Sequence, residues 1–191
     1  MSNAKTAWAG LLAILAVSVT ACTPTQHGQA QPPTDSPSSA NHAPSADPST
    51  DTTGAEDQLA RTDPCSLLSA DELHEYGSFR DSNPAEIGEA RACEFVRDRS
   101  GSQIESLAFV TGIRETTGVS EAIDQGMGIR NTETNGRKLA QIPDSLGCTI
   151  AIGVTDSSRV DVVVNTTLTT EQACEIADEL AAVVEPKLPK G

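Results

Sequence analysis

Four cysteines, Cys65, Cys93, Cys148 and Cys174, are spread at wide intervals through the stretch 62–191 of this 191-residue chain. What they can do depends on the compartment. In a reducing cytosol they stay thiols, whereas an even number in an exported domain forms a disulfide framework that restricts every fold the stretch can adopt. The N-terminus indicates export. Met1–Lys5 is a short, weakly basic start, Ala7–Val19 is an apolar run, and small residues follow at Thr20 and Ala21. The run falls short of the roughly 20 residues of a spanning helix and has the proportions of a secretory signal covering residues 1–21.

Cys22 stands directly after the small residues, the arrangement of a bacterial lipobox. There the thiol takes a diacylglyceryl group, the signal is cut before Cys22, and the cysteine becomes the acylated first residue. The alternative is an ordinary cleaved signal followed by an accidental cysteine. The length of the apolar run, Ala21 before the cysteine and Thr23-Pro24 after it favour lipidation. At roughly 0.8 kcal/mol per buried CH₂, two or more acyl chains such as palmitate hold a protein stably to a bilayer without spanning it. The expected location is the extracytoplasmic face of the cell membrane.

Residues 22–61 read as a tether. Pro, Ser, Thr, Ala, Gln and Asp dominate, and Leu59 is the only large aliphatic residue. Such a composition does not bury enough apolar surface to offset the entropy of ordering, so disorder is expected throughout. His27 and His42 have no acidic or thiol partners at ligand spacing and are read as solvated.

Residues 62–191 amount to one domain. The four cysteines are not spaced as zinc ligands, and His74 is the only imidazole of the domain, so two disulfides are expected and no metal. Ser69-Ala70-Asp71-Glu72 has the form of a capping box between Leu68 and Leu73, which predicts a short helix over Ala70–Tyr76 ending at Gly77. A final helix begins at Thr169 or Thr170, repeats Ala173, Ile176, Ala177, Leu180 and Val184 on one face, and ends at Pro186. Between them the period becomes two: Cys148, Ile150, Ile152 and Val154, then Val160, Val162 and Val164, form a hairpin broken at Asp156-Ser157-Ser158. Cys93–Asp98, Gln103–Thr111 and Arg137–Ile142 read as further strands, and Ser120–Gln125 as one helical turn. The expected fold is α+β, a small, mostly antiparallel sheet with an N-terminal and a C-terminal helix on one face.

This layout favours one disulfide set. The hairpin brings Cys148 opposite the residues leading into the last helix, whose first turns carry Cys174; Cys65 with Cys93 follows by elimination. The competing set joins Cys65 to Cys174 and Cys93 to Cys148.

Asp63-Pro64-Cys65-Ser66-Leu67-Leu68, the central Cys93, Gly147-Cys148-Thr149-Ile150, and Cys174 followed by Ile176-Ala177-Asp178-Glu179-Leu180-Ala181 and Leu188-Pro189 together resemble a known group. It is the actinobacterial lipoproteins grouped as domain of unknown function family 3558. The resemblance covers the whole domain, and the lipobox and tether fit it; Phe95 stands where relatives often place a Trp. It implies an envelope location and a small α+β domain, and it brings no activity, cofactor or site residue.

Several function classes are disfavoured. The chain has 13 Lys and Arg against 27 Asp and Glu, a net charge of −14, which repels nucleic acid and anionic lipid surfaces. The one Trp, Trp8, lies in the signal, so no indole remains for stacking on sugars. No Gly-x-Ser-x-Gly elbow, His-Glu-x-x-His helix or phosphate loop occurs. The expectation is therefore a non-enzymatic protein without cofactors: a membrane-anchored binding or accessory domain for another cell-envelope protein. The alternative is a carrier or sensor of a small apolar ligand held between sheet and helices.

Overall fold

A computed structural model describes residues 49–98 and 105–190. Seven antiparallel strands form one sheet: β1 Asn83–Ile87, β2 Ala90–Val96, β3 Leu107–Arg114, β4 Arg130–Thr134, β5 Arg137–Asp144, β6 Gly147–Gly153 and β7 Arg159–Thr166. Two helices accompany it, α1 Ser49–Arg61 and α2 Thr170–Val184. The spatial order is β1-β2-β3-β7-β6-β5-β4. Two meanders, β1–β3 and β4–β7, are thus joined where β3 pairs with β7, in a register running from Leu107 opposite Thr166 to Arg114 opposite Arg159.

The alternating apolar positions fix that register, because a slip of one residue would turn Val160, Val162 and Val164 of β7 away from the core. Val160, Val162 and Val164 of β7, Cys148, Ile150 and Ile152 of β6, and Phe109 and Ile113 of β3 share one face and are fully buried. α2 closes this face with Ala173, Ala177, Leu180, Ala181 and Val184. It begins with a reciprocal cap, in which the Thr169 hydroxyl accepts from the Gln172 amide at 3.3 Å while Gln172 Oε1 accepts from the Thr169 amide at 3.2 Å. Tyr76 and Phe79 pack their rings against Phe109, with centroids 5.4 and 5.0 Å away. The opposite face holds a smaller apolar cluster of Ala140, Ile142, Ala151 and Val119, with Ala122 and Ile129 packed beside it under the β3–β4 loop.

Two N-terminal expectations are corrected. Residues 49–61, assigned to the disordered tether, form α1, and its Ala55 and Leu59 are each only 1% exposed. Spaced four residues apart, they lie on one face of the helix and enter the main core. Arg91 holds the far end, its guanidinium donating to the carbonyls of Leu59, Ala60 and Thr62 at 2.8–3.2 Å. Composition averaged over the segment hid this, because one well-placed leucine is enough when a core is present to receive it.

The helix expected over Ala70–Tyr76 is instead a run of turns and a single 3₁₀ turn, His74–Tyr76, ending at Gly77 with φ +119°. The capping contacts between Ser69 and Glu72 do form, at 2.9–3.3 Å. The segment is too short to offset the cost of helix nucleation, and tertiary partners claim its polar groups. Lys187 takes Glu72 at 2.8 Å, and the Tyr76 hydroxyl donates to Glu179 at 2.5 Å. Ser120–Gln125 likewise reduces to a 3₁₀ turn, Val119–Glu121. Strands β1 and β4 escaped the sequence reading because both are edge strands with no apolar alternation, β4 being exposed at every residue.

Candidate functional site

Cys22, the expected lipidation residue, lies outside the described residues, as do the expected signal and the expected tether up to Pro48. The other four candidate residues are all described. Cys65 is bonded to Cys93 and Cys148 to Cys174, each pair with Cα atoms 5.0 Å apart. The first bridge ties the segment leading in from α1 to β2, and the Thr111 hydroxyl of β3 also donates to the Pro64 carbonyl of that segment at 2.7 Å. The second ties β6 to the first turns of α2. In the chain-entropy account, loops of 28 and 26 residues correspond to about 3.5 kcal/mol each.

The two buried charged side chains among the described residues, Arg159 and Asp161, are committed to each other. On the face away from α2, Asp161 is 5% exposed and accepts from Arg159 Nε at 2.8 Å and from Arg114 Nε at 2.7 Å. Arg159 also donates to the Gly118 carbonyl at 2.8 Å, which pins the β3–β4 loop to β7. In the sequence Asp161 is a polar position alternating with the valines of β7, on the side away from the core. The signal that could have found this network is the spacing of Arg159 and Asp161, two residues apart and so on the same face of one strand.

A second arginine clamp stands at the end of the sheet, beside an open groove of about 860 Å³. Its lining comes from the β4–β5 turn, the β6–β7 turn and the tail after α2. Arg137 donates to Glu185 at 3.1 Å and to the carbonyls of Gly153 and Pro189 at 2.8 and 2.9 Å. Lys138 pairs with Asp156 at 2.8 Å, in water. Polar and apolar groups line the groove about equally, and both of these cations already have partners. Its geometry serves to hold the C-terminal tail against the sheet.

The remaining titratable groups are scattered. His74 is exposed, with Nδ1 2.6 Å from the Asp71 carbonyl oxygen. Lys187, 2.8 Å from the Glu72 carboxyl, holds it below its ordinary range. Burial raises Asp178 above its ordinary value despite the 2.8 Å hydrogen bond from Gln141. Burial, and then the Glu179 carboxylate, push the Tyr76 phenol up. His74 and Tyr76 share one turn, and no nucleophile, base and orienting group converge among these groups. Among the described residues no group of three or more His, Cys, Asp or Glu side chains is placed to hold a metal, and no helix is long and apolar enough to cross a membrane.

No curated protein and no solved structure matches the chain. A family does, over residues 17–187, a span that takes in Cys22, both disulfides and every strand of the described residues. The chain belongs to the family described as "Protein of unknown function (DUF3558)".

Proposed function

We propose that the protein is a lipid-anchored, extracytoplasmic accessory domain that binds another cell-envelope protein and performs no chemistry itself. The observation that carries this reading is the way the domain uses its polar groups. Arg91, Arg114, Arg137, Arg159 and Lys187 all fasten elements of the fold to one another. Such a constellation makes a rigid body, while the surface left over presents side chains to a partner.

The anchor rests on the sequence before Cys22, of which the family match takes in only residues 17–21. The packing favours the accessory reading over a carrier of an apolar ligand. Phe109, Ile150, Val162, Ala177 and Leu180 take up the space between sheet and α2, each no more than 2% exposed. The open groove lies elsewhere, between the strand turns and the C-terminal tail.

The test is crosslinking in intact cells with the full acylated chain, read by mass spectrometry for proteins and small molecules. One reproducible protein partner, lost when residues 49–191 are removed and the anchor and tether are kept, is the expected result. Recovery of a lipid or metabolite with no protein partner would overturn it. Acyl labelling of the chain, abolished by Cys22→Ala, checks the anchor separately.

A further inference from the structure

Four large apolar side chains of the described residues are exposed, and two of them share one loop: Ile123 at 73% and Met127 at 53%. Single exposed apolar residues are ordinary. Two within five residues on a segment held as firmly as this one ask for a reason. The loop, residues 115–129, joins β3 to β4 and is fastened at several points. Val119 enters the second apolar cluster, with Ala122 and Ile129 packed against it. The Glu121 carboxylate accepts from the Gly118 amide at 2.8 Å, and the Gly118 carbonyl accepts from Arg159. The Asp124 carboxylate accepts from the amides of Gly126 and Gly128 at 2.8 and 2.9 Å, closing residues 124–128 into one turn. Gly126 and Gly128, at φ +97° and +83°, supply backbone that other residues rarely adopt.

We infer that this tip is a preformed docking element for a partner protein that offers an apolar pocket edged by Lys or Arg. The inference rests on the accessory reading above and names the surface that serves it. A loop already held in shape pays little ordering entropy on binding, so two modest apolar anchors suffice. The charge of the partner's rim follows from the loop itself. Glu115 at its base is paired with Arg91 at 2.8 Å, but Glu121 and Asp124 of the tip have no cationic partner within the loop, which contains no Lys or Arg, on a chain with net charge −14. An anionic bilayer and a second copy of this acidic chain are both repelled by that field.

The test places a photocrosslinking amino acid at position 123 or 127 of the full acylated chain in its own cells, with Glu175, on the exposed face of α2, as the control position. Expected is the same protein crosslinked from both tip positions and not from 175, with the attached peptide lying at an apolar pocket flanked by Lys or Arg. The double substitution Ile123→Ser, Met127→Ser lowers its capture at least tenfold while the thermal unfolding midpoint is unchanged. Asp124→Ala, which keeps both anchors and frees the turn, lowers capture less. A partner captured from 175 and not from the tip overturns the docking element and leaves the accessory reading standing. Crosslinks from the tip to lipid, to a second copy of the chain or to an acidic surface overturn it as well. No protein crosslinked from any position overturns both.

Discussion

Leu59→Ala is the sharpest probe of the helix that the tether's composition conceals. Leu59 is 1% exposed and, with Ala55, supplies the apolar attachment of α1 to the core. Truncating a buried leucine costs about 2–5 kcal/mol, the upper end applying where surroundings cannot relax. α1 is a peripheral helix held otherwise by polar bonds, from Arg91 to its last carbonyls and from Ser157 to Glu56 at 3.0 Å. It can therefore undock instead of enclosing a cavity, which caps the loss at its own docking free energy. A cost of about 2–3 kcal/mol is expected, and at roughly 3 °C per kcal/mol for a domain of this size the midpoint falls by about 6–9 °C. The assay is thermal and urea unfolding of the acyl-free chain, with hydrogen exchange at the amides of residues 53–61. In Leu59→Ala those amides exchange faster than the strands, whereas the exposed change Asp57→Ala leaves both readouts unmoved. A Leu59→Ala cost below about 0.5 kcal/mol, with residues 53–61 exchanging as free peptide in the parent, would refute a docked α1.

Four further outcomes follow from the structure. Removing the bridge between β6 and α2 by Cys148→Ala with Cys174→Ala lowers stability by about 3 kcal/mol, read by urea unfolding under oxidising conditions. Asp161→Ala leaves Arg159 and Arg114 without their shared carboxylate on a mostly buried face, and a loss of about 3–5 kcal/mol is expected; a loss under about 1 kcal/mol would mean that water reaches the site freely. Because burial raises Asp178, its ionised form is penalised in the folded state at neutral pH. Asp178→Asn therefore raises the midpoint at pH 7, and the gain disappears as pH falls below the ordinary value of 3.8, where both states of the parent are protonated. Glu72 behaves in the opposite sense: Lys187 lowers it, so its contribution is present at neutral pH and lost as pH falls through its folded value. Glu72→Gln should accordingly be less stable than the parent at pH 7 and equal to it in strong acid.

What the sequence by itself determined was whatever rests on local period and on spacing along the chain. The alternation from Cys148 to Val164 specified β6, β7 and the turn between them, since period two with one apolar face leaves a strand no other register. The 3.6-residue repeat and the Thr169 cap specified α2. Only the tertiary structure decided the rest. α1 depends on two side chains meeting a core built by residues far along the chain, and no average over residues 22–61 registers that. The stretch over Ala70–Tyr76 has a helix signal at its start, but Lys187 and Glu179, more than a hundred residues away, draw its polar groups off before a helix propagates. Asp161 looks like a solvated residue in sequence and becomes buried because β3 and the β3–β4 loop bring Arg114 and the Gly118 carbonyl to it and to Arg159. The exposed pair Ile123 and Met127 has no periodicity at all. It acquires meaning only when the loop beneath it proves to be fastened at every turn, because rigidity is a property of contacts between distant residues and not of the residues themselves.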